Sequence, residues 1–404
     1  MTQLKTSYQH GNVTSKNRFF KSAMSEGLGT KDGLPDKRLE TLYRTWANGG
    51  AGILVTGNVM IDKRYLGEPR NVILEDDRHL HAFKRWAQAG TENNTELWMQ
   101  VNHPGKQVFK GVADEALAPS AILLDSPIEA FLARPREMSE AEIEDVIARF
   151  AETSFLAKQA GFTGVQIHGA HGYLISQFLS ARHNKREDQW GGPIENRMRL
   201  LIRVYEAIRE KVGADFPIGV KINSADFQRD SFSEEESLQV IRKLDEIGID
   251  HVEISGGTYE RPAMTGMKQS TKEREAYFLQ FASLIRETMQ VPLAVTGGFR
   301  SLSGMNQALG DGVTDFIGIA RPLVVYPNLP HDLMYGGKES IELTRKKTGI
   351  PFVDDKAMLE LTWYSQQLGY LAKGKQTKPD QSAYASLVKT IVKNGTEVFQ
   401  KRRG

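Results

Sequence analysis

Eight short apolar runs separated by helical patterns limit what this chain can fold into more than any other feature of its sequence. They lie at Asn17 to Met24, Ala51 to Thr56, Leu97 to Val101, Gly164 to Ile167, Ile218 to Ile222, His251 to Ile254, Leu293 to Val295 and Asp315 to Ile319. Runs this short and this evenly apolar read as strands, and strands alternating with helices build a parallel sheet. Eight is the number at which such a sheet closes into a (β/α)8 barrel. Two open, doubly wound domains would use the same elements. However, no Pro/Gly/Ser-rich linker divides the run, and no strand-to-helix turn carries G-x-G-x-x-G. The expected fold is therefore α/β, a single (β/α)8 TIM barrel.

The helices are punctuated accordingly. Lys37 to Asn48 ends at Gly49-Gly50, and a second helical stretch covers about Asp77 to Ala89. Ser139 with Glu142, and Ser233 with Glu236, form capping boxes. After the first, Ile143, Val146, Ile147 and Phe150 repeat at helical spacing until Gly161 stops the helix. Pro193 opens a helix that runs through Leu200, Leu201, Val204 and Ile208 to Gly213, and Gly248 stops the Ser233 helix. Two segments fall outside the rhythm. Roughly thirty-five residues between the third strand and Ser139 contain Phe109, Phe131 and several prolines, a length that suggests a lid-like insertion. Beyond the eighth strand, helical patterns at Met358 to Tyr364 and Leu387 to Val392 suggest a C-terminal helical extension. The expected division is a barrel over 1–337 and the extension over 338–404.

Charge and cysteine content narrow the function. The 404 residues carry 52 basic and 50 acidic side chains, a net charge of +2 that offers no field for nucleic acid or an anionic membrane. A small-molecule partner is expected, and a homo-oligomer is left open. With no cysteine, disulfides, zinc-thiolate sites, cysteine nucleophiles and iron–sulfur clusters are excluded. The first residues have no apolar h-region and no apolar run reaches about 18 residues, so a cytoplasmic location is expected.

In such barrels the chemistry sits at the C-terminal ends of the strands. Met24 and Ser25 follow the first strand, Gln100 and His103 lie at the third, and His168, His171 and Tyr173 follow the fourth. Lys221 stands within the fifth, Ser255-Gly-Gly257 follow the sixth, Gly297-Gly298 the seventh and Arg321 the eighth. The last two loops are the usual phosphate site, where glycines let backbone N–H groups approach and an arginine can fork onto phosphate oxygens. Taken singly, these residues have blander readings. His168 and His171 would serve as core histidines or as ligands of a metal-dependent hydrolase, Tyr173 as a packing aromatic, and Gly297-Gly298 as a plain turn. Trp190 and Lys401 to Arg403 read as packing and solvated charge. Lys221 is harder to dismiss, because a lysine inside an apolar strand needs an anionic partner.

Longer motifs decide between these readings. His168-Gly-Ala-His-Gly-Tyr-Leu-Ile-Ser-Gln-Phe-Leu-Ser180, Asn184-Lys-Arg-Glu-Asp188 and Gly191-Gly-Pro-Ile-Glu-Asn-Arg197 resemble the signature of the Old Yellow Enzyme family of FMN-dependent NADH:flavin oxidoreductases. So do Ala118 to Ile122, Pro135 to Ser139 and Lys221 to Asp226, and the likeness spans Asn17 to Pro330. The resemblance implies FMN in the barrel mouth, reduced by NADH or NADPH, with hydride passing from flavin N5 to the β-carbon of an activated alkene. It implies that His168 and His171 bind the substrate oxygen and that Tyr173 protonates the α-carbon. The flavin-binding positions it implies are Met24, Ser25, Gly57, Gln100, Lys221, Gly297, Gly298, Ala320 and Arg321, with no metal. Lys221 stands where many members carry arginine, and Ser25 where they carry threonine or cysteine. A dienoyl-thioester reductase or demethylase of the same family is the nearest alternative, though clustered relatives need cysteines.

Overall fold

The structure is a computed structural model that describes residues 2–258, 260, 278–343, 346 and 359–386. Met358, Leu387 to Val392 and Lys401 to Arg403 lie outside the described residues. Eight parallel strands close into a barrel: β1 (Phe19–Lys21), β2 (Ile53–Val55), β3 (Glu96–Asn102), β4 (Gly164–Gly169), β5 (Ile218–Asn223), β6 (His251–Ser255), β7 (Leu293–Thr296) and β8 (Phe316–Ile319). β8 pairs with β1 through Gly318 and Phe20, and β3 pairs with β4 through Gln100 and Gln166, which closes the ring. All eight expected strands are present, most of them buried throughout.

The outer helices follow their sequence signals. They include α1 (Lys37–Asn48), α2 (Leu80–Gly90), α3 (Glu140–Ala160), α4 (Arg199–Val212), α5 (Glu234–Glu246), α6 (Leu279–Arg286) and α7 (Leu302–Gly310). Ser139 and Ser233 make reciprocal capping boxes with Glu142 and Glu236, and Gly161 ends α3 at φ 91°, a conformation that favours glycine. The helix expected from Pro193 is broken: Ile194–Arg197 is a separate turn, and α4 begins at Arg199.

Strand alternation sorts the barrel interior into layers. At the bottom, Trp98 of β3 packs with Phe20, Phe316 and His251, and the missing side chain of Gly164 makes room for it: a Cβ there would lie 2.7 Å from the indole. One step up, the inward positions are Ser22 just past β1, Gln100, Gln166, Lys221, Glu253 and Thr296. A polar layer in a closed barrel is expensive unless its members satisfy one another. They do, as described below.

The insertion between β3 and α3 contains a two-stranded parallel sheet, Glu115–Ala118 with Arg134–Glu137. It is tied to the β4 exit by Lys106, whose ammonium donates to Ile122 O at 2.9 Å and contacts His183 Nδ1 at 2.7 Å; His183 Nε2 lies 3.4 Å from Glu260 beyond β6. Two short strands not expected from the sequence, Val59–Met60 and Val72–Ile73, extend the sheet from β3. An antiparallel hairpin, Tyr8–His10 with Val13–Ser15, precedes β1. After β8, the helix Leu359–Leu371 packs on α1 and on the turn Arg321–Val325, and Thr377 Oγ1 donates to Val325 O at 2.8 Å. Among the described residues no helix is long and apolar enough to cross a membrane.

Candidate active site

The middle layer of the barrel is one hydrogen-bonded chain. Gln100 Nε2 donates to Gln166 Oε1 at 2.8 Å, and Gln166 Nε2 donates to Glu253 Oε2 at 2.8 Å. The other Glu253 oxygen accepts from Thr296 Oγ1 at 2.7 Å and from the Ser22 hydroxyl, and it pairs with Lys221 Nζ at 3.0 Å. Lys221 Nζ also donates to Ser22 Oγ at 2.8 Å. β1 and β6 are not neighbours in the sheet, so the Ser22–Glu253 contact crosses the interior. Burial pushes the Glu253 carboxyl up, but Lys221 beside it and the hydroxyl donors outweigh that and hold it below the usual carboxylate range. The anion that Lys221 requires is thus supplied by the protein.

Above this floor, β4 ends in the histidine pair. His168 Nε2 lies 3.3 Å from His171 Nδ1, and His171 Nε2 lies 2.8 Å from Ser255 Oγ at the end of β6. His171 is held at φ 62°, a left-handed conformation that histidine tolerates better than most residues, and this aims its ring back across the strand ends. Tyr173 packs against His168 with ring centroids 4.7 Å apart and planes tilted by 57°, and it is 5% exposed. His168 Nδ1 is buried without a hydrogen-bond partner. Burial and the neighbouring Lys221 push His171 down to about 3. Burial, His171 and Lys221 hold His168 well below the ordinary histidine value. Both rings are neutral at physiological pH, so each offers a single N–H.

The remaining expected positions lie around this core. Gly297 and Gly298 at the β7 exit adopt φ 101° and 88° and are exposed; Arg321 at the β8 exit is also exposed, and Ala320 beside it is half-buried. Two glycines at positive φ beside an arginine at adjacent strand ends let a phosphate approach the backbone and add a cation, a donor set that fits FMN. Met24 and Ser25 are half-buried past β1, where the Ser25 hydroxyl donates to the Glu68 carboxylate. Gly57 has a packing role: its N–H is donated to Glu26 Oε1 at 3.1 Å and Tyr43 OH at 3.0 Å, and a Cβ there would lie 2.7 Å from Met24 O. His103 is buried, with Nδ1 accepting from Gly105 N at 3.1 Å, and burial pushes it down to about 4. The Asn184 to Asp188 run is scaffolding: Asn184 Nδ2 donates to Phe178 O and Trp190 O, and the Arg186 guanidinium forks onto Asp188.

Glu253, Ser22, Gln166 and Thr296 are not among the positions expected from the sequence. A glutamate at an inward position of an apolar strand was the available signal for the first of them.

Residues 6–339 match the NADH:flavin oxidoreductase / NADH oxidase family. The chain belongs to this family. The NADH-dependent flavin oxidoreductase iliE of Hypocrea jecorina (strain QM6a) is 35% identical over 387 residues, covering 89% of this chain and 94% of that one. An NADPH dehydrogenase of Geobacillus sp. (strain WCH70) is 29% identical over 331 residues, covering 82% of this chain and 93% of the relative. The fold matches the old yellow enzyme homologue from Zymomonas mobilis with a TM-score of 0.72 at 24% identity, over 84% of this chain and 94% of that one. As a NADH:flavin oxidoreductase of the Old Yellow Enzyme group, the protein is an enzyme that uses FMN and takes electrons from a reduced nicotinamide. Membership also displaces the metal-hydrolase reading of the histidines.

Proposed function

We propose that this flavin oxidoreductase reduces electron-poor alkenes such as α,β-unsaturated carbonyl compounds, with NADH or NADPH as reductant. The supporting observation is the convergence of His168 Nε2 and His171 Nδ1, 3.3 Å apart over a buried polar floor, with Tyr173 against the same ring. Ser255 Oγ, 2.8 Å from His171 Nε2, engages that nitrogen and leaves Nδ1 as the one that faces His168. Without a ligand the two nitrogens hydrogen-bond one another; a tautomer that puts a proton on each would let both donate to one oxygen seated beside them. A substrate carbonyl oxygen placed there gains most when it becomes an oxyanion, so the pair favours the transition state over the ground state.

Bound FMN supplies a two-electron carrier between nicotinamide and alkene. The chain's own residues do the rest. His168 and His171 hold the oxygen on which charge accumulates as hydride reaches the β-carbon. The Tyr173 hydroxyl gives its proton to the α-carbon and is restored from solvent. Lys221, Gln100, Gly297, Gly298 and Arg321 hold the cofactor. Overall, one alkene, one reduced nicotinamide and one proton yield the saturated product and the oxidised nicotinamide.

The test is isotopic. An enone reduced with nicotinamide deuterated at C4 should carry deuterium at the β-carbon and a solvent-derived hydrogen at the α-carbon, read by NMR of the product. Label lost to solvent, or no turnover by protein that holds FMN, would overturn the proposal.

A further inference from the structure

The buried carboxylate of Glu253 satisfies Lys221 structurally, and its charge has a further consequence for a bound flavin. It stands at the centre of the barrel floor, 0% exposed, and receives Gln166, Thr296, Ser22 and Lys221. Register places Lys221 beside His168 on one strand and beside Glu253 on the other, so the ion pair adjoins the histidine pair. A lone buried ammonium at this level would present a full positive charge to a flavin seated on the floor. The Lys221–Glu253 pair, both members buried at 3.0 Å, presents a dipole of nearly zero net charge. Reduction adds negative charge to the flavin ring, so a cation beneath it favours the reduced state, and neutralising that cation weakens the preference.

We propose that Glu253 is a positioning residue that sets the flavin's reduction potential by neutralising Lys221 and fixing its ammonium against Ser22. The inference rests on the reading that FMN sits over Lys221, and it adds a residue assigned no role so far. It makes the flavin a stronger reductant than an unpaired lysine would.

The test is the midpoint potential of the FMN-loaded protein, measured by equilibration with a reference dye. Glu253→Gln keeps the shape and removes the charge; it should favour reduced over oxidised flavin by tenfold or more, a rise of roughly 30 mV for a two-electron couple. Glu253→Asp keeps the charge and changes the shape; its potential should stay close to that of the parent. The double variant Lys221→Met/Glu253→Gln removes both charges and should also return close to the parent, which keeps the test open if Glu253→Gln alone does not fold. An unchanged potential in Glu253→Gln would overturn the proposal. So would an equal shift in Glu253→Asp, or a fall of roughly 30 mV or more in the double variant. Parent protein that binds no FMN would instead overturn the underlying reading, and this inference with it.

Discussion

Replacing His171 by alanine isolates one arm of the proposed oxyanion clamp. Only one of its ring nitrogens faces the site, since Nε2 is held by Ser255 at 2.8 Å, so the substitution removes at most one donor from the proposed anion position. His168 keeps its own. One hydrogen bond to a charged acceptor contributes about 1.5–3 kcal/mol. At about 1.4 kcal/mol per factor of ten, a phenolate bound in place of the enolate oxygen should lose roughly 10- to 150-fold in affinity. The assay is titration of a para-substituted phenol into the yellow holoenzyme, followed by the long-wavelength absorbance of a phenolate stacked on flavin. Repeating it from pH 6 to 9 adds a second check. His171 is pushed down to about 3 and His168 lies well below its ordinary value, so neither changes charge in that window and the profile should follow only the ionisation of the phenol. Affinity within about threefold of the parent would refute the clamp, as would an inflection near the ordinary histidine value of about 6.5.

Two further outcomes test the barrel beneath the site. His251, stacked on Phe20 with both ring nitrogens unpartnered, is pushed down to about 3 by burial. Below its unfolded value of about 6.5 only the unfolded chain takes up its proton, so stability is lost as pH falls. His251→Leu should therefore gain about 2 kcal/mol on the parent between pH 7 and pH 5 in urea melts; parallel pH dependence in the two proteins would contradict this. Gly318→Ala would place a Cβ 2.7 Å from Val295 O and 2.0 Å from Thr296 Oγ1, and should destabilise by about 1–3 kcal/mol or more in the same melts. An unchanged midpoint would mean that β7 and β8 are not this close.

The barrel was legible because strands buried on both faces leave continuous apolar runs, and because Ser139, Ser233, Gly161 and Gly248 mark helix ends with local chemistry that tertiary contacts do not override. Val59–Met60 and Val72–Ile73 escaped notice because two-residue strands carry no period. The break at Met198, whose backbone stays helical between Arg197 and Arg199, has no breaker residue to announce it. In the site, His168, His171, Tyr173 and Lys221 stood out because each is costly or unusual where it lies. Gln166, Ser22 and Thr296 did not, since a neutral polar side chain gains its meaning from partners on strands far away in sequence. Glu253 was readable in principle: the same argument that made Lys221 demand an anion makes a glutamate on the next strand demand a cation. Pairing them required the β5–β6 register, which the sequence alone does not provide.

The central claim, that Tyr173 is the proton donor of an alkene-reducing flavoenzyme, is tested most directly by separating the two half-reactions of Tyr173→Phe in stopped flow. The substitution keeps the ring that packs 4.7 Å from His168 and deletes only the hydroxyl. Flavin reduction by nicotinamide should stay within about threefold of the parent, while reoxidation by an enone slows by about 10²- to 10⁴-fold. Equal slowing of both half-reactions, or of neither, would contradict the account.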